Sequence, residues 1–256
     1  MKAVILAGGR GSRLAEETEA RPKPMVEVGG KPILWHIMKI FSAHGVNDFV
    51  ICLGYKGYLI KEYFANYLLH SSNVTINLET NELDIHENLA EPWRVTLVDT
   101  GLESQTGGRL LRVKEHIEDE ETFLFTYGDG VGNIDVTALL QFHQNHGKLA
   151  TVSAVRPAGR FGTMEIDGKV VRAFREKQVA PGSYINGGFF ALSSKVLGYI
   201  ENDQTVWEDV PLTRMTEEGN LCAWRHDGFW QPMDTIRERQ ILDEYWRQGD
   251  APWKVW

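Results

Sequence analysis

Residues 1–25 read MKAVILAGGRGSRLAEETEARPKPM and decide the fold. The segment Lys2–Ala7 is an almost entirely apolar run rich in β-forming residues, which predicts a buried central strand. It leads directly into Gly8-Gly9-Arg10-Gly11-Ser12-Arg13. Glycines let backbone N–H groups approach an anion closely, and Arg10, Arg13 and Lys23 supply positive charge. The stretch therefore predicts a strand followed by a phosphate-binding loop, with a nucleoside triphosphate as its expected ligand.

Two well-known glycine-rich motifs fit this spacing less well. A dinucleotide-binding site needs an acidic residue after the second strand, but the apolar run 49–53 is followed by Gly54-Tyr55-Lys56. The Walker pattern needs a Lys and a hydroxyl at the end of its loop, and this loop has neither in that order. A tight surface turn is the remaining alternative. The Arg21-Pro22-Lys23-Pro24 run close behind favours phosphate binding over a plain turn.

Composition is that of a water-soluble globular chain. The 256 residues are 43% hydrophobic and 24% charged, and no apolar run approaches the ~20 residues of a membrane span. A formal net charge of -8 without a basic stretch argues against nucleic-acid binding. Cys52 and Cys222 are too far apart in sequence to suggest a C-x-x-C motif. We expect one cytoplasmic domain, residues 1–256, with no membrane partner.

The first third of the chain alternates strand and helix patterns. A helix is expected from Ile33 until Gly45, then a strand at 48–54, a helix at 59–69 and a strand at 74–79. This order predicts an α/β fold with parallel strands. The helical period is missing between residues 81 and 105, where we expect an inserted arm that either is a surface excursion or bounds a pocket or a subunit contact.

The remaining predicted elements continue the alternation up to a last helix and an aromatic tail at 235–256. They are a helix at 106–117, a strand at 122–126, a helix at 137–146, a strand at 150–156, an antiparallel pair at 162–166 and 170–177, a strand at 184–190, helices at 193–200 and 207–218, a strand at 221–226 and a helix at 235–248. Exposed aromatic residues in the tail need cover from the chain itself or from a neighbour.

Two short motifs mark candidate ligand contacts in the middle of the chain. Thr106-Gly107-Gly108-Arg109 opens a helix, and its glycines would permit close approach of a ring or ribose, although an ordinary helix start is the alternative. Asp129 lies between two glycines directly after an apolar strand, where open α/β sheets bind ligands. We favour a metal or substrate role for Asp129 over a turn role.

Three further motifs follow in the second half. Glu176-Lys177 would hold a sugar phosphate if both side chains face the cleft, and would otherwise lie on a solvated strand end. Asn186-Gly187-Gly188 interrupts an apolar strand, which predicts a bulge or a ligand contact. Asp234 follows Trp230-Gln231-Pro232-Met233 and is either a helix N-cap or, with Asp129, a ligand of a single Mg²⁺.

These motifs resemble the sugar-1-phosphate nucleotidylyltransferases. The matching runs are Leu6-Ala7-Gly8-Gly9-Arg10-Gly11-Ser12-Arg13-Leu14, Pro22-Lys23-Pro24, Tyr127-Gly128-Asp129-Gly130, Glu176-Lys177, Asn186-Gly187-Gly188 and Trp230-Gln231-Pro232-Met233-Asp234. The Thr106-Gly107-Gly108-Arg109 run is similar to the branch that joins CTP to glucose 1-phosphate. Gln178 departs from the family, which usually has Pro there.

The resemblance implies a three-layer, Rossmann-like nucleotide-binding fold with a mostly parallel sheet and a small antiparallel excursion. It implies that CTP and α-D-glucose 1-phosphate give CDP-glucose and pyrophosphate, for surface-polysaccharide (O-antigen) synthesis, in a homo-oligomer that is a hexamer in this branch. Arg13, Lys23 and Asp129 would be catalytic, and Mg²⁺ would be the cofactor. The implied substrate contacts are Leu6, Ala7, Gly8, Gly9, Arg10, Gly11, Ser12, Arg13, Lys23, Ser104, Gly107, Gly108, Arg109, Gly128, Glu176, Lys177, Asn186 and Gly187.

Two alternatives stay open at this point. The chain would use another pyrimidine nucleotide or another phosphorylated acceptor with the same chemistry, or it would be a non-catalytic regulatory subunit that binds nucleotide only. Arg13, Lys23, Asp129, Lys177 and Asp234 together argue against the second alternative, because a non-catalytic copy has no chemical reason to keep all five.

Overall fold

A computed structural model describes residues 1–156, 163–167, 170–175 and 184–256. Within them one large sheet has seven strands, numbered here along the chain. They are β1 (Lys2–Ala7), β2 (Asp48–Leu53), β3 (Arg94–Asp99), β4 (Thr122–Tyr127), β5 (Ala150–Val155), β6 (Ile185–Ser193) and β7 (Leu221–His226). Their order across the sheet is β7-β5-β6-β4-β1-β2-β3.

The first strand is central, as the sequence predicts. β1 pairs in parallel with β2 on one side and with β4 on the other. β2 also pairs in parallel with β3, and β5 with β7, whereas β6 runs antiparallel to both of its neighbours. The expected α/β fold with a mostly parallel sheet is confirmed, and β6 is the one reversed strand among those of this sheet that the structure describes.

Helices cover both faces of the sheet. The longer ones are α1 (Ile33–Ala43), α2 (Gly57–Ala65), α3 (Thr106–Arg112), α4 (Val136–His146), α5 (Val210–Glu217) and α6 (Ile236–Arg247). Shorter turns are Ala15–Thr18, Tyr67–Ser71 and Lys114–Ile117 and the 3₁₀ segments Ser12–Leu14, Lys23–Met25 and Ser194–Tyr199.

Two hydrophobic cores lie on opposite faces of the sheet, because side chains alternate along a strand. Ala3 and Ile5 of β1 belong to the core under α1, α4 and α6. Val4 and Leu6 belong to the core under α3 and α5. This gives the three layers that the family resemblance implies.

The predicted third strand and the predicted arm are wrong in their bounds. Ser72–Asn77 pairs antiparallel with Glu82–Asn88 in a separate two-stranded sheet, so residues 72–88 form a hairpin arm. The expected arm at 81–105 instead contains β3, which pairs with β2. Alternating polar and apolar residues predict a strand but not its partner, and Ser72–Asn77 pairs with the segment next to it in sequence. The antiparallel pair near residue 170 is confirmed as Thr163–Asp167 with Val170–Arg175.

The aromatic tail is covered by the chain itself. Trp253 is fully buried and its indole N–H donates to Nδ1 of His36 on α1 at 3.3 Å. Nε2 of His36 lies 2.8 Å from the Val28 carbonyl, so the neutral ring donates from Nε2 and accepts at Nδ1. None of the described helices is both long and apolar enough to span a membrane.

Candidate functional site

A cavity of about 330 Å³ opens where β1 and β4 end. Carboxyl ends of parallel strands are the usual ligand-binding edge of such sheets. The lining comes from the β1 loop, the Lys23 turn, the segment before α3, the end of β4, and the residue before the N-cap of α6. Its residues are Leu6, Ala7, Gly8, Gly9, Gly11, Ser12, Lys23, Pro24, Ser104, Gln105, Thr106, Arg109, Tyr127, Gly128, Asp129 and Asp234.

The loop after β1 is fixed in position by hydrogen bonds to two of its backbone carbonyls. The Gly8 carbonyl accepts from the Tyr55 N–H at 3.0 Å, which ties the loop to the end of β2. Gly11 has φ of +63°, a left-handed conformation that glycine adopts without strain. The hydroxyl of Thr18 donates to the Gly11 carbonyl at 3.1 Å and so closes the turn below it.

Lys23 joins two aspartates at the centre of the cavity. Its ammonium nitrogen lies 2.7 Å from Oδ2 of Asp129 and 2.6 Å from Oδ1 of Asp234. The side chain of Lys23 is only 11% exposed, so these ion pairs are largely shielded from water. Residues that are distant in sequence, and that the sequence predicts as one site, are thus brought together.

A short strand ladder places Asp234 beside Asp129. Trp230–Pro232 pairs antiparallel with Gly130–Gly132, and the Met233 N–H donates to the Asp129 carbonyl at 2.8 Å. The segment before α6 therefore folds back over the end of β4.

The alternative role of Asp234 as an N-cap is wrong. Thr235 caps α6, and together with Glu238 it forms a capping box. The Thr235-x-x-Glu238 spacing in the sequence is the signal that distinguishes the two residues. The Asp234 carboxylate is therefore directed to Lys23 rather than to the helix end.

The two carboxylates keep Lys23 charged. Burial opposes the ammonium form, but attraction by Asp129 and hydrogen bonds to both aspartates outweigh it and raise the pKa of Lys23 above its usual value. Among the described side chains, one ammonium thus faces two carboxylates at the cavity wall.

Arg109 forms part of the cavity wall, and hydrogen bonds to backbone carbonyls fix its guanidinium. Nη1 donates to the carbonyls of Leu53 at 3.1 Å and Gly101 at 2.7 Å, and Nη2 donates to the Leu102 carbonyl at 3.2 Å. Burial lowers the pKa of Arg109 below its usual value. A Cβ on Gly8 would overlap this guanidinium. Position 8 therefore needs a glycine to make room for Arg109, in addition to the predicted need for close approach of a ligand.

Gly107 and Gly108 have a packing reason to be glycine, and their predicted contact with a ring or ribose stays a prediction. An added Cβ at Gly107 would lie 2.7 Å from the Thr205 carbonyl oxygen, and one at Gly108 would overlap the backbone of Asp203. The backbone of the protein itself thus packs closely against these two glycines, and neither glycine lines the cavity. Gly187 is similar, because an added Cβ there would lie 2.7 Å from Oγ of Ser153 on β5.

Two other predicted contacts lie beside the cavity lining. Arg10 forms an exposed ion pair with Glu103 at 2.5 Å. Asn186 is the second residue of β6, where its Oδ1 accepts from the Gly188 N–H at 2.8 Å. The predicted bulge is present as a register shift between β5 and β6.

Three predicted residues are only partly located or not located by the structure. Arg13 lies in the 3₁₀ turn Ser12–Leu14 beside the cavity, but its side chain is outside the described part of the chain. Glu176 and Lys177 fall wholly outside the described residues.

Sequence reasoning missed four residues of the lining: Pro24, Gln105, Thr106 and Tyr127. All four adjoin residues that it did select. Tyr127 directly precedes the Gly128-Asp129 motif at the end of β4, so its position in the strand was a usable signal.

An α/β sheet whose central strand ends in a glycine-rich loop beside charged side chains is typical of enzymes that bind nucleotides. A family model described as "Nucleotidyl transferase" matches residues 2–220. The chain belongs to the nucleotidyl transferase family.

Individual members of this family are similar to the chain over its full length. The chain is 58% identical over 256 residues, and over the full length of both chains, to the glucose-1-phosphate cytidylyltransferases of Salmonella typhi and Salmonella typhimurium. Among solved structures, HddC from Yersinia pseudotuberculosis is similar in fold, with a TM-score of 0.70 and 23% identity over 96% of this chain and 99% of that one.

Proposed function

We propose that this enzyme transfers the cytidylyl group of CTP to α-D-glucose 1-phosphate and releases pyrophosphate. An oxygen of the sugar phosphate bonds to the α-phosphorus of CTP as the bond to the bridging oxygen breaks, and pyrophosphate leaves with that electron pair. The observation that carries the proposal is the Lys23, Asp129 and Asp234 cluster beside the glycine-rich loop. The 58% identity to enzymes with this name supports the choice of substrates.

In this reaction the protein mainly positions two anions and offsets their charge. The loop from Gly8 to Ser12 would hold the triphosphate on its backbone N–H groups. Arg13 and Lys23 would offset charge on the α-phosphate and the leaving pyrophosphate. Glu176 and Lys177 would hold the acceptor, as the family resemblance implies.

Asp129 and Asp234 fit a single Mg²⁺. Both offer carboxylate oxygens to the cavity, within reach of one ammonium group. Within the described residues no group of three or more Asp, Glu, His or Cys side chains is arranged to hold a metal. Two carboxylates plus phosphate oxygens and water are nevertheless a common magnesium environment. When bound, the ion would neutralise charge on the phosphates and hold them together.

Selection of cytosine needs an acceptor for its exocyclic amino group, because uracil has a carbonyl there. We propose that a backbone carbonyl of β1 or of the loop after it supplies this acceptor. The buried residue Arg109 would form the opposite wall of the site that binds the base. Its bonds to three backbone carbonyls would make it a rigid boundary.

A substrate panel tests the proposal. Purified protein with Mg²⁺ would be assayed for pyrophosphate release with four nucleoside triphosphates against several sugar 1-phosphates, and the nucleotide sugar would be identified by mass. We expect CTP and glucose 1-phosphate to give the highest kcat/KM. Equal kcat/KM for UTP and CTP would show that no such acceptor is in place. A different preferred sugar would identify another member of the same reaction class.

We further propose a homo-oligomer that uses the hairpin arm. One face of the arm carries Val74, Ile76, Leu83 and Ile85, which pair across the two strands. Ile76 and Leu83 are 51% and 49% exposed. A two-stranded hairpin is marginally stable alone, so cover from a second copy would stabilise it. Light scattering of the wild type and of Ile76→Ser tests this, because a monomeric wild type would contradict it. The hexamer, the cytoplasmic location and the O-antigen role remain expectations from the sequence.

A further inference from the structure

The phenol oxygen of Tyr127 is contacted by two side chains at the edge of the cavity. Tyr127 ends β4 and lines the cavity. Its hydroxyl donates to Oε1 of Glu208, and the side-chain amide of Asn186 lies 3.4 Å from the same oxygen. Oε2 of Glu208 accepts from the Thr106 hydroxyl at 2.6 Å. Glu208 therefore links two lining residues without lining the cavity itself.

Proton positions in this group are determined by its chemistry. An ionised carboxylate only accepts hydrogen bonds, so Tyr127 donates its single proton to Glu208. A phenol keeps its proton at neutral pH, so Tyr127 is the donor in this pair. The Asn186 amide nitrogen is a donor. A ligand that reaches this oxygen from the cavity must then be a hydrogen-bond donor, and a sugar hydroxyl has that property.

The Glu208 backbone is fixed relative to the cavity. Its neighbour Trp207 is fully buried, and the Trp207 N–H donates to the Thr106 hydroxyl at 2.9 Å. Gly107 and Gly108 pack against the backbone just before this segment. The exposed Glu208 carboxylate is thus held at a defined point by Thr106 and Tyr127.

The position of Tyr127 in the sheet indicates which ligand it contacts. The glycine-rich loop follows β1 on one side of β4, whereas Asn186 lies near the start of β6 on the other side. The phenol oxygen is contacted from the β6 side. The ribose of CTP and the acceptor sugar both carry hydroxyl donors, and this placement favours the acceptor.

We propose that Glu208 is a positioning residue for the acceptor sugar, because it takes the phenolic proton of Tyr127 and leaves the phenol oxygen to accept from a hydroxyl of the sugar phosphate. This inference rests on the proposed function of the enzyme. Glu208 acts through Tyr127, so its effect requires the phenol.

Steady-state kinetics of four variants test the inference: Tyr127→Phe, Glu208→Ala, Glu208→Gln and the double variant Tyr127→Phe/Glu208→Ala. We expect Tyr127→Phe and Glu208→Ala each to raise KM for glucose 1-phosphate about 5- to 10-fold, the value of one hydrogen bond, with a smaller change in kcat. Glu208→Gln still accepts from the phenol and should recover most of this loss. The double variant should be no worse than Tyr127→Phe alone.

The chain offers a matched control. Tyr199 donates to Glu218 in the same way, but neither residue lines the cavity. Tyr199→Phe and Glu218→Ala should leave both KM values unchanged. Thermal melting of all variants separates loss of folding from loss of positioning.

Three outcomes overturn the inference. An unchanged KM for the sugar phosphate in Glu208→Ala would show that Glu208 does not act on the acceptor. Additive effects in the double variant would show that it does not act through Tyr127. A rise confined to the KM for CTP would assign the phenol to the ribose instead. Absence of turnover by the wild type with any substrate pair would instead overturn the proposed function.

Discussion

Gly9 and Gly108, one from each of the pairs Gly8-Gly9 and Gly107-Gly108, have different surroundings. At Gly9, in the loop after β1, an added Cβ would meet no heavy atom within 4 Å. At Gly108, near the start of α3, it would overlap the Asp203 backbone. Both pairs are equally conspicuous in the sequence. A glycine pair thus indicates that something approaches the backbone, but it does not indicate whether that is a ligand or the protein.

The same division applies to other residues of the site. Lys23, Asp129 and Asp234 direct charged groups into the cavity, whereas Arg109, Gly108 and Thr235 build the structure around it. Substitutions in the first group should change kinetics at constant stability. Substitutions in the second should change stability first.

The largest kinetic effect is expected at the two aspartates. Asp129→Asn and Asp234→Asn keep the shape and remove the charge, so kcat should fall on the order of 10²- to 10³-fold with little change in melting temperature. Thr235→Ala is the neighbouring control, since loss of a cap should cost about 1 kcal/mol of stability and leave kcat unchanged. An active Asp234→Asn enzyme with unaltered Mg²⁺ dependence would leave Asp129 as the single aspartate in the proposed metal site.

Lys23 should come next. If its ammonium stabilises charge in the transition state, Lys23→Met should lower kcat on the order of 10²-fold. A change confined to KM would show that Lys23 binds substrate and transition state equally.

Lys23 also competes with a cation for the same two carboxylates. Mn²⁺ alone, followed by electron paramagnetic resonance, should therefore bind more tightly to Lys23→Met than to the wild type. Weaker or equal Mn²⁺ binding would contradict this competition and would leave the kinetic expectation untouched.

The glycine pairs provide the direct comparison. Gly9→Ala should leave the free energy of unfolding within about 0.5 kcal/mol of the wild type and lower kcat/KM, because the new methyl occupies the approach to the loop. Gly108→Ala should lower the free energy of unfolding by about 1–3 kcal/mol, because the methyl overlaps backbone. Urea unfolding and steady-state kinetics of both variants test this comparison. If Gly9→Ala lost stability and Gly108→Ala lost only activity, the roles assigned to the two glycines would be reversed.

The last prediction concerns stability at low pH rather than activity. Burial lowers the pKa of His36 to about 4 from its usual 6.5. The unfolded chain then binds a proton below about pH 6.5 that the folded chain binds only near pH 4, so stability is full at neutral pH and falls as pH is lowered between these values. From pH 6.5 to 5 the loss should be about 2 kcal/mol.

His36→Gln can keep both hydrogen bonds without titrating, so its stability should depend less on pH over this range. The exposed His70→Gln is the control. Equal pH dependence in all three proteins would show that His36 is not the group responsible.

Residues in continuous apolar runs were predictable from the sequence. Because β1, β2 and β4 are buried on both faces, each is a nearly continuous apolar segment that the sequence identifies as a strand. The partner of Ser72–Asn77 was not predictable, because alternation in one segment says nothing about distant pairing. The cavity position of Asp129 followed from the end of β4, whereas Glu208 belongs to no motif. Its role depends on Tyr127 and Thr106, which are distant in sequence.

The reversed direction of β6 bears on how such enzymes can diverge. Val155 ends β5 opposite Ile185, which begins β6, so the connecting residues leave and re-enter the sheet at one edge. The connection carries its own strand pair, Thr163–Asp167 with Val170–Arg175, which is separate from the seven-stranded sheet. Because loop closure costs little more as a loop lengthens, insertions or deletions on either side of that pair should leave the large sheet intact. The expected acceptor contacts Glu176 and Lys177 both lie in this connection. On that expectation, exchange of this one continuous segment would alter part of the acceptor site, while β1 and the loop that follows it would be inherited unchanged.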